Sequence, residues 1–149
     1  MKISEKGKDF IKLWEGCRLV TYDDGGGVLT IGYGHTGKDV VPGKQITMWE
    51  AIELFDKDIE FFAKGVHNLL EYHQNQNQFD ALVSLAYNIG LGNFKISHVL
   101  TDINNGKEAR QVAKGFLNWK TINGKFVKGL YDRRVSEKRI YEYGIYKNN

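Results

Sequence analysis

The sequence has 149 residues, and a single domain of that size buries roughly 68–70% of its unfolded surface without needing a metal or disulfide. Its only cysteine, Cys17, excludes an internal disulfide framework, and the net charge of +3 is too mild to indicate nucleic-acid binding. No apolar run exceeds three residues, and the N-terminus lacks the apolar stretch of a signal peptide. We therefore expect no stable membrane insertion, no export signal, no metal and no cofactor.

The first predicted element is an amphipathic helix that begins at about Ser4 and ends at Glu15 or Gly16. Apolar residues recur at helical spacing between Ile3 and Trp14. Ser4 is the expected N-cap, and Gly16 is the expected stop.

A β-hairpin is predicted to follow this helix. The β-prone runs Leu19–Tyr22 and Val28–Tyr33 flank three consecutive glycines, residues 25–27. Glycines between two β-prone runs are typical of a hairpin turn, so we expect a small sheet here.

A long helix is predicted from about residue 48 to residue 70. Thr47 and Glu50 have the spacing of a capping box, in which each side chain binds the other's exposed backbone amide. Steps of three and four residues predict one buried face, and the helix is long enough to span two lobes. The residues expected on that face are Ile52, Phe55, Ile59, Phe62, Val66 and Leu69.

The rest of the chain is predicted to be mainly helical. Apolar spacing, glycine positions and charge indicate four further features. They are a helix through Phe79–Ile89 that ends at Gly90, a helix through Ala109–Phe116 that leads to Trp119, a turn at Asn123-Gly124, and a basic helix from about Leu130 to Tyr143.

The segment from Trp14 to Thr30 carries the best candidates for chemistry. Cleavage of a glycosidic bond needs a protonated acid for the leaving oxygen and a second, ionised carboxylate. Glu15 lies at the end of an apolar helix beside Trp14, a setting that disfavours the charged form of a carboxyl group. Asp24 lies in a polar turn, which suits the ionised partner, and the Thr30 hydroxyl on the returning strand could hold a water.

These residues lie in a string that closely resembles the phage-type lysozymes of glycoside hydrolase family 24. Residues 14–24 read WEGCRLVTYDD and residues 27–37 read GVLTIGYGHTG. The family spacing is Glu, eight residues, Asp, five residues, Thr, and Glu15, Asp24 and Thr30 meet it. Asp23 misses that register by one. The resemblance continues through QNQFDAL at 76–82, YNIG at 87–90, Trp119, and the late GLxxRRxxE at 129–137.

The resemblance implies an α+β, lysozyme-like fold in a single domain, residues 1–149. A small sheet-containing lobe at about 17–60 and a larger helical lobe at about 61–149, which also takes in the first helix, would enclose a cleft. It also implies an endolysin, or muramidase, that hydrolyses β-1,4 bonds between N-acetylmuramic acid and N-acetylglucosamine with inversion. The two carboxylates of an inverting enzyme lie roughly 6.5–9.5 Å apart with water between them.

Three further residues are predicted at the substrate site. His35 follows the strand that carries Thr30 and could line the cleft, although a hydrogen bond within the hairpin explains it equally well. Tyr87 and Asn88 resemble residues beside the family's cleft, and an aromatic face with an amide suits N-acetyl sugars. For Tyr87 alone, core packing is the simpler interpretation.

Two choices stay open in the sequence. Arg133 or Arg134 on the last helix could reach Glu15 or a substrate carboxylate through a bidentate pair, and position in the chain does not choose between them. Cys17 lies next to the site, but no pattern of His and acid supports a thiolate nucleophile, so we interpret it as a packing residue.

One tempting motif is discounted. Residues 32–37 fit the Gly-x-Gly-x-x-Gly fingerprint of dinucleotide-binding proteins, but no helix start is predicted until Thr47. The histidines His67, His73 and His98 have no zinc-site spacing, so an amidase site finds no support.

The resemblance also implies partners and a location. The partner is bacterial peptidoglycan, and the protein is expected as a monomer in the bacterial host cytoplasm, released to the wall with a separate holin. Two rival functions remain: a wall-binding protein without hydrolysis, which intact Glu15, Asp24 and Thr30 argue against, and a lytic transglycosylase, against which Asp24 with Thr30 favours hydrolysis.

Overall fold

The fold is described for residues 1–148 from a computed structural model of the chain. Over that range it has seven α-helices, one 3₁₀ helix and two small antiparallel hairpins, so the predicted α+β class is confirmed. In chain order the elements are α1 (Glu5–Glu15), β1 (Arg18–Asp23), β2 (Leu29–Gly32), α2 (Met48–Leu69), α3 (Gln76–Ile89), α4 (Leu91–Ile96), α5 (His98–Asn104), α6 (Ala109–Lys114), the 3₁₀ helix (Gly115–Asn118), β3 (Thr121–Ile122), β4 (Lys125–Phe126) and α7 (Lys128–Tyr143).

Helix α1 begins and ends where the sequence predicts. The Ser4 side chain accepts a hydrogen bond from the Gly7 amide, and Gly16 ends the helix with a φ of 66°. Ser4 also donates through its amide and hydroxyl to Asp80 on α3, and the Tyr146 hydroxyl donates to the same carboxylate at 2.6 Å. Asp80 therefore ties both ends of the described chain to α3.

The first hairpin confirms the predicted strands. In its antiparallel register, Tyr22 faces Thr30 and Arg18 faces Gly32, with a bulge in β1 between Arg18 and Tyr22. The turn is closed by two adjacent carboxylates, because Asp23 accepts hydrogen bonds from two glycine amides and Asp24 from the amides of residues 26 and 28.

Helix α2 has the predicted capping box, with Thr47 and Glu50 binding each other's backbone amides. Its buried face is rotated from the predicted one. Phe55, Ile59 and Val66 are buried as expected, and Ala51 and Ala63 are buried with them. The neighbouring Ile52 and Phe62, and also Leu69, are only half-buried.

Helix α3 is the centre of the molecule, since every residue from Phe79 to Ala86 is buried. Its end at Gly90 is as predicted. Helices α4 and α5, of six and seven residues, were not predicted, because so few residues display little of a helical period. Helix α6 is as short, but its apolar spacing continues through the 3₁₀ helix to Phe116, which made it predictable. The predicted turn at Asn123-Gly124 is confirmed: both residues have positive φ, 51° and 77°, and join β3 to β4.

The buried apolar side chains form two clusters. The larger one lies between α1, α3 and the helices after it, and the smaller one consists of Ile31, Val40, Ile46 and Ala51 under the first hairpin. Helix α2 contributes to both, with Ala51 in the smaller cluster and Phe55 in the larger.

The glycine-rich segment after β2 is a turn, and it does not open a helix. Ile31 and His35 exchange backbone hydrogen bonds of 2.9 and 2.8 Å, and α2 begins only at Met48. The dinucleotide fingerprint requires a helix at its last glycine, so that interpretation is wrong for residues 32–37, as expected. In residues 1–148, no helix combines the length and the apolar character needed to cross a membrane.

Candidate active site

Glu15 is the last residue of α1, and its carboxylate is largely enclosed, with 17% of the side chain exposed. Its Oε2 accepts a 2.6 Å hydrogen bond from Arg133 Nη1. The turn after β2 covers its other side, because a Cβ placed on Gly34 would lie 2.7 Å from Oε1. With a φ of 78° as well, position 34 has room and backbone conformation only for glycine.

Arg133 is the late arginine that reaches Glu15, which decides the choice that the sequence left open. Arg134 points elsewhere, to Glu137 and to the Trp119 carbonyl. Burial alone lowers the pKa of Arg133, but Glu15 and Glu137 outweigh it and the pKa is raised. Arg133 is thus a permanent buried cation paired with the Glu15 carboxylate.

Asp24 lies on the exposed turn of the first hairpin, as predicted. Its Oδ1 accepts hydrogen bonds from the amides of Gly26 at 2.8 Å and Val28 at 3.2 Å. These amides and the surrounding water stabilise its charged form. The second oxygen has no hydrogen bond to the described residues, so it can face a ligand.

Thr30 is buried on β2, with 4% of its surface exposed. Its hydroxyl donates to the Val28 carbonyl at 3.2 Å. A hydroxyl oxygen also accepts hydrogen bonds, so Thr30 can still accept one from a water.

Tyr22 lies within the electrostatic influence of both candidate carboxylates. Burial raises the pKa of Tyr22, Arg18 lowers it, and the charges of Glu15 and Asp24 both raise it. Thr30 is the partner of Tyr22 in the strand ladder. The Glu15 carboxylate is enclosed and Asp24 is exposed, and a joint catalytic role for Glu15, Asp24 and Thr30 stays a prediction.

His35 lies in the turn beside Glu15, but both of its ring nitrogens are engaged by carboxylates. Nδ1 lies 2.7 Å from Asp58 on α2, and Nε2 lies 2.9 Å from Asp39. The ring therefore bonds to carboxylates outside the hairpin, and only the His35 backbone, which pairs with Ile31, bonds within it as the alternative expected. A direct role for His35 in substrate binding stays a prediction.

Tyr87 and Asn88 lie near the end of α3, and both are half-buried. The hydroxyl of Tyr87 donates to the Tyr33 carbonyl at 2.6 Å, and its ring packs against Phe55 and Phe62 with centroid distances of 5.8 and 5.2 Å. Burial, with Glu15 and Asp58 next, raises the pKa of Tyr87. Tyr87 therefore packs in the core and supports the turn that covers Glu15. Contacts of Tyr87 or Asn88 with a sugar stay predictions.

Cys17 is half-buried and packs in the smaller cluster, as interpreted from the sequence. Its Sγ lies 3.8 Å from Met48 Sδ, and it also contacts Tyr33, whose pKa is raised by burial and then by this thiol.

Several polar residues of the site were missed in the sequence. Glu137 entered only as the last letter of the late motif, yet its spacing of four from Arg133 is the spacing of a helical ion pair and could have indicated it. Ser84 and Asp58 carry no such signal, because α3 and α2 bring them to the site from distant parts of the chain.

Known proteins resemble this chain over nearly its whole length. Residues 12–137 match the model of the family described as phage lysozyme. An endolysin of Bacillus phage PZA is 41% identical over 150 residues, covering 99% of this chain, and this chain spans 58% of that relative's length.

Two solved structures share the fold throughout. An endolysin from the Escherichia coli phage FAHEc1 has a TM-score of 0.86 and 37% identity, over 99% of this chain and 97% of that one. The muramidase domain of SpmX from Asticaccaulis excentricus has a TM-score of 0.85 and 36% identity, over 95% and 97% of the two chains. With the family model matched over residues 12–137, the chain belongs to the phage lysozyme family.

Proposed function

We propose that this chain is a muramidase of the endolysin type, which hydrolyses the β-1,4 bond between N-acetylmuramic acid and N-acetylglucosamine in bacterial peptidoglycan. The observation that carries the proposal is a pair of carboxylates in unlike surroundings: Glu15 is enclosed, Asp24 is exposed, and both act electrostatically on Tyr22, the ladder partner of Thr30. An enclosed acid and a hydrated carboxylate are what glycoside hydrolysis requires. Membership of the phage lysozyme family supports the same activity.

In the proposed mechanism Glu15 is the proton donor. It takes up a proton before the reaction and passes it to the leaving glycosidic oxygen as the bond breaks. Asp24 accepts a proton from the attacking water, and the Thr30 hydroxyl orients that water on the opposite face of the sugar. The water oxygen then bonds to the anomeric carbon with inversion.

We further propose that the chain works as a monomer, in one domain with two lobes that correspond to the two apolar clusters. On this proposal it is made in the cytoplasm of a bacterial host and reaches the wall at lysis through a separate holin. The endolysins among its relatives support this setting. Peptidoglycan would be its partner, through N-acetyl sugars bound near His35, Tyr87 and Asn88.

Digestion of purified peptidoglycan sacculi tests the activity. We expect fragments whose new ends are reducing N-acetylmuramic acid. Each is heavier by one water than the corresponding fragment with a 1,6-anhydro end, and mass spectrometry detects the difference. Glu15→Gln should lower the rate by about 100-fold or more, since a positioned general acid contributes on the order of 10²–10⁴ in rate.

The matched control is Glu5→Gln, which removes an exposed carboxylate at the other end of α1 and should retain the parent rate. Parental clearing by Glu15→Gln would contradict the mechanism. Release of 1,6-anhydro ends would indicate a lytic transglycosylase, and wall binding without any released fragment would indicate a binding protein.

A further inference from the structure

Glu137 is an acid with no exposed surface, on the face of α7 that packs against α3. Its Oε2 accepts hydrogen bonds from Ser84 Oγ at 2.5 Å, Arg134 Nη2 at 3.0 Å and Arg133 Nε at 3.2 Å. Its Oε1 lies 2.7 Å from Arg134 Nε, an ion pair that lacks hydrogen-bond geometry. Removing an ionised carboxylate from water is costly unless it is paired and hydrogen-bonded. Here both arginines pair with Glu137, and the hydrogen bonds are made to Oε2.

The same contacts fix the guanidinium of Arg133 in one orientation. Nε is held by Glu137, Nη2 donates to the Ser84 carbonyl at 3.3 Å, and Nη1 donates to Glu15 at 2.6 Å. A guanidinium is planar and rigid, so holding two of its nitrogens determines where the third points. Glu137 and Ser84 therefore aim Nη1 at the Glu15 carboxylate.

The charges of this cluster balance only when Glu137 is counted. Two buried cations, Arg133 and Arg134, face two acids, Glu15 and Glu137. When Glu15 takes up a proton, Arg133 loses one counter-charge and keeps Glu137. Without Glu137, Arg133 would depend on an ionised Glu15, and protonation of Glu15 would become harder.

The remaining groups around Glu15 and Glu137 do not replace this charge. Tyr22 on β1 interacts electrostatically with Glu15, and burial is the largest cause of the raised pKa of Tyr22. Tyr87 on α3 interacts electrostatically with Glu15 and Arg133, and burial is again the largest cause of its raised pKa. Both phenols therefore stay neutral near pH 7. The Trp119 carbonyl is neutral and accepts a hydrogen bond from Arg134 Nη1.

We propose that Glu137, together with Ser84, is a positioning residue for the reaction. It holds Arg133 against Glu15 and shares the charge of Arg133, so that Glu15 can carry the proton it donates. This inference rests on the proposed function, in which Glu15 is the general acid.

The test is the pH profile of kcat/KM for Glu137→Gln on solubilised peptidoglycan. Because a general acid must be protonated, its ionisation limits activity at high pH, and we expect the alkaline limb to move to lower pH by about one unit. At a pH on that limb, kcat should fall about tenfold while KM changes by less than about twofold.

Two variants on α7 serve as controls. Glu137→Asp keeps the charge and should restore the parental alkaline limb, with kcat between those of the parent and Glu137→Gln. Glu142→Gln removes an acid that binds Lys138 Nζ at 2.6 Å, away from Arg133, and should leave the profile unchanged. Equal loss of activity by Glu137→Gln at every pH, with the limb unmoved, would overturn the proposal.

Two further measurements decide the proposal in other circumstances. If Glu137→Gln does not fold, Ser84→Ala replaces it. We expect kcat to fall about threefold at an unchanged KM, since the hydroxyl's hydrogen bonds to Glu137 and from Arg133 Nη2 are lost. A parental kcat with a parental profile would overturn the proposal. If the parent releases no fragments, the proposed function fails, and carbon NMR titration of the Glu15 carboxyl still tests Glu137. The pH midpoint of the Glu15 titration should be lower in a folded variant that lacks the negative charge at position 137 than in the parent. Equal midpoints would overturn the proposal.

Discussion

His35 connects the turn after β2 to α2 through two carboxylates and has 13% of its side chain exposed. Burial alone lowers the pKa of His35, but hydrogen bonds to Asp58 and Asp39 outweigh it, so the pKa is raised above its ordinary value of 6.5. The bond to His35 lowers the pKa of Asp39, whereas burial raises that of Asp58. The folded protein therefore binds the His35 proton more tightly than the unfolded chain does.

This proton binding predicts a stability that depends on pH. A raised histidine pKa gives stabilisation that is complete below about pH 6.5 and is lost as the pH rises through the folded-state pKa. We expect His35→Asn to lower the free energy of unfolding by about 2 kcal/mol at about pH 5.5, and by less at about pH 9. Chemical denaturation at the two pH values measures the difference. His73→Asn, at an exposed histidine, is the control, and an equal loss for His35→Asn at both would contradict the prediction.

At this scale the sequence predicted residues that are close in the chain better than those that meet through the fold. Glu15, Asp24 and Thr30 lie in one helix and the hairpin that follows it, so local sequence predicts the elements that carry them. Arg133 and Arg134 are adjacent and face different neighbours, since successive helical residues point about 100° apart. Only the packing of α7 against α3 decides which one meets Glu15.

The helices are defined as much by their ends as by their faces. Thr47 and Glu50 close the start of α2, and Asn75 and Gln78 close the start of α3 in the same way. Each box satisfies backbone amides that the first helical turn leaves free.

Removing one of these caps should cost stability without affecting the site. We expect Thr47→Ala to lower the free energy of unfolding by about 1 kcal/mol, because the amide of Glu50 loses its acceptor. Urea denaturation measures this change, and the rate of wall digestion should stay at the parent value. Thr36→Ala, outside any helix, is the matched control. An unchanged unfolding midpoint for Thr47→Ala would show that the cap contributes nothing.

Elements with a cap, an apolar period or a glycine turn were predictable because those signals are local. Helices α4 and α5 and the short strands β3 and β4 are stabilised by packing and turn geometry, not by an extended pattern. The buried face of α2 was displaced for a related reason. The spacing of its large apolar side chains does not show that Ala51 and Ala63 are buried.

In the whole molecule, Tyr33 is shared by the two apolar clusters. Its ring packs against Phe55 at 5.6 Å between centroids, and its carbonyl accepts the hydrogen bond from Tyr87. The turn that covers Glu15 is thus fixed to the larger cluster by the Tyr33 ring and by the Tyr87 hydroxyl.

Loss of that hydroxyl should loosen the turn. Tyr87→Phe leaves the Tyr33 carbonyl without its donor, and we expect the free energy of unfolding to fall by about 1–2 kcal/mol. Hydrogen exchange should quicken in residues 29–35 more than in α3, as measured by mass spectrometry. Tyr131→Phe, on the surface, is the control. Exchange that is unchanged in the turn would contradict this role for Tyr87.

The contact between Glu15 and Arg133 joins residues 118 positions apart. During translation both carboxylates leave the ribosome before the guanidinium of Arg133, which is made 118 residues after Glu15. A nascent chain that ends before α7 carries the acids without the cation, and without the helix that packs on α3. On the proposed function, synthesis itself thus delays the appearance of lytic activity until α7 has been made.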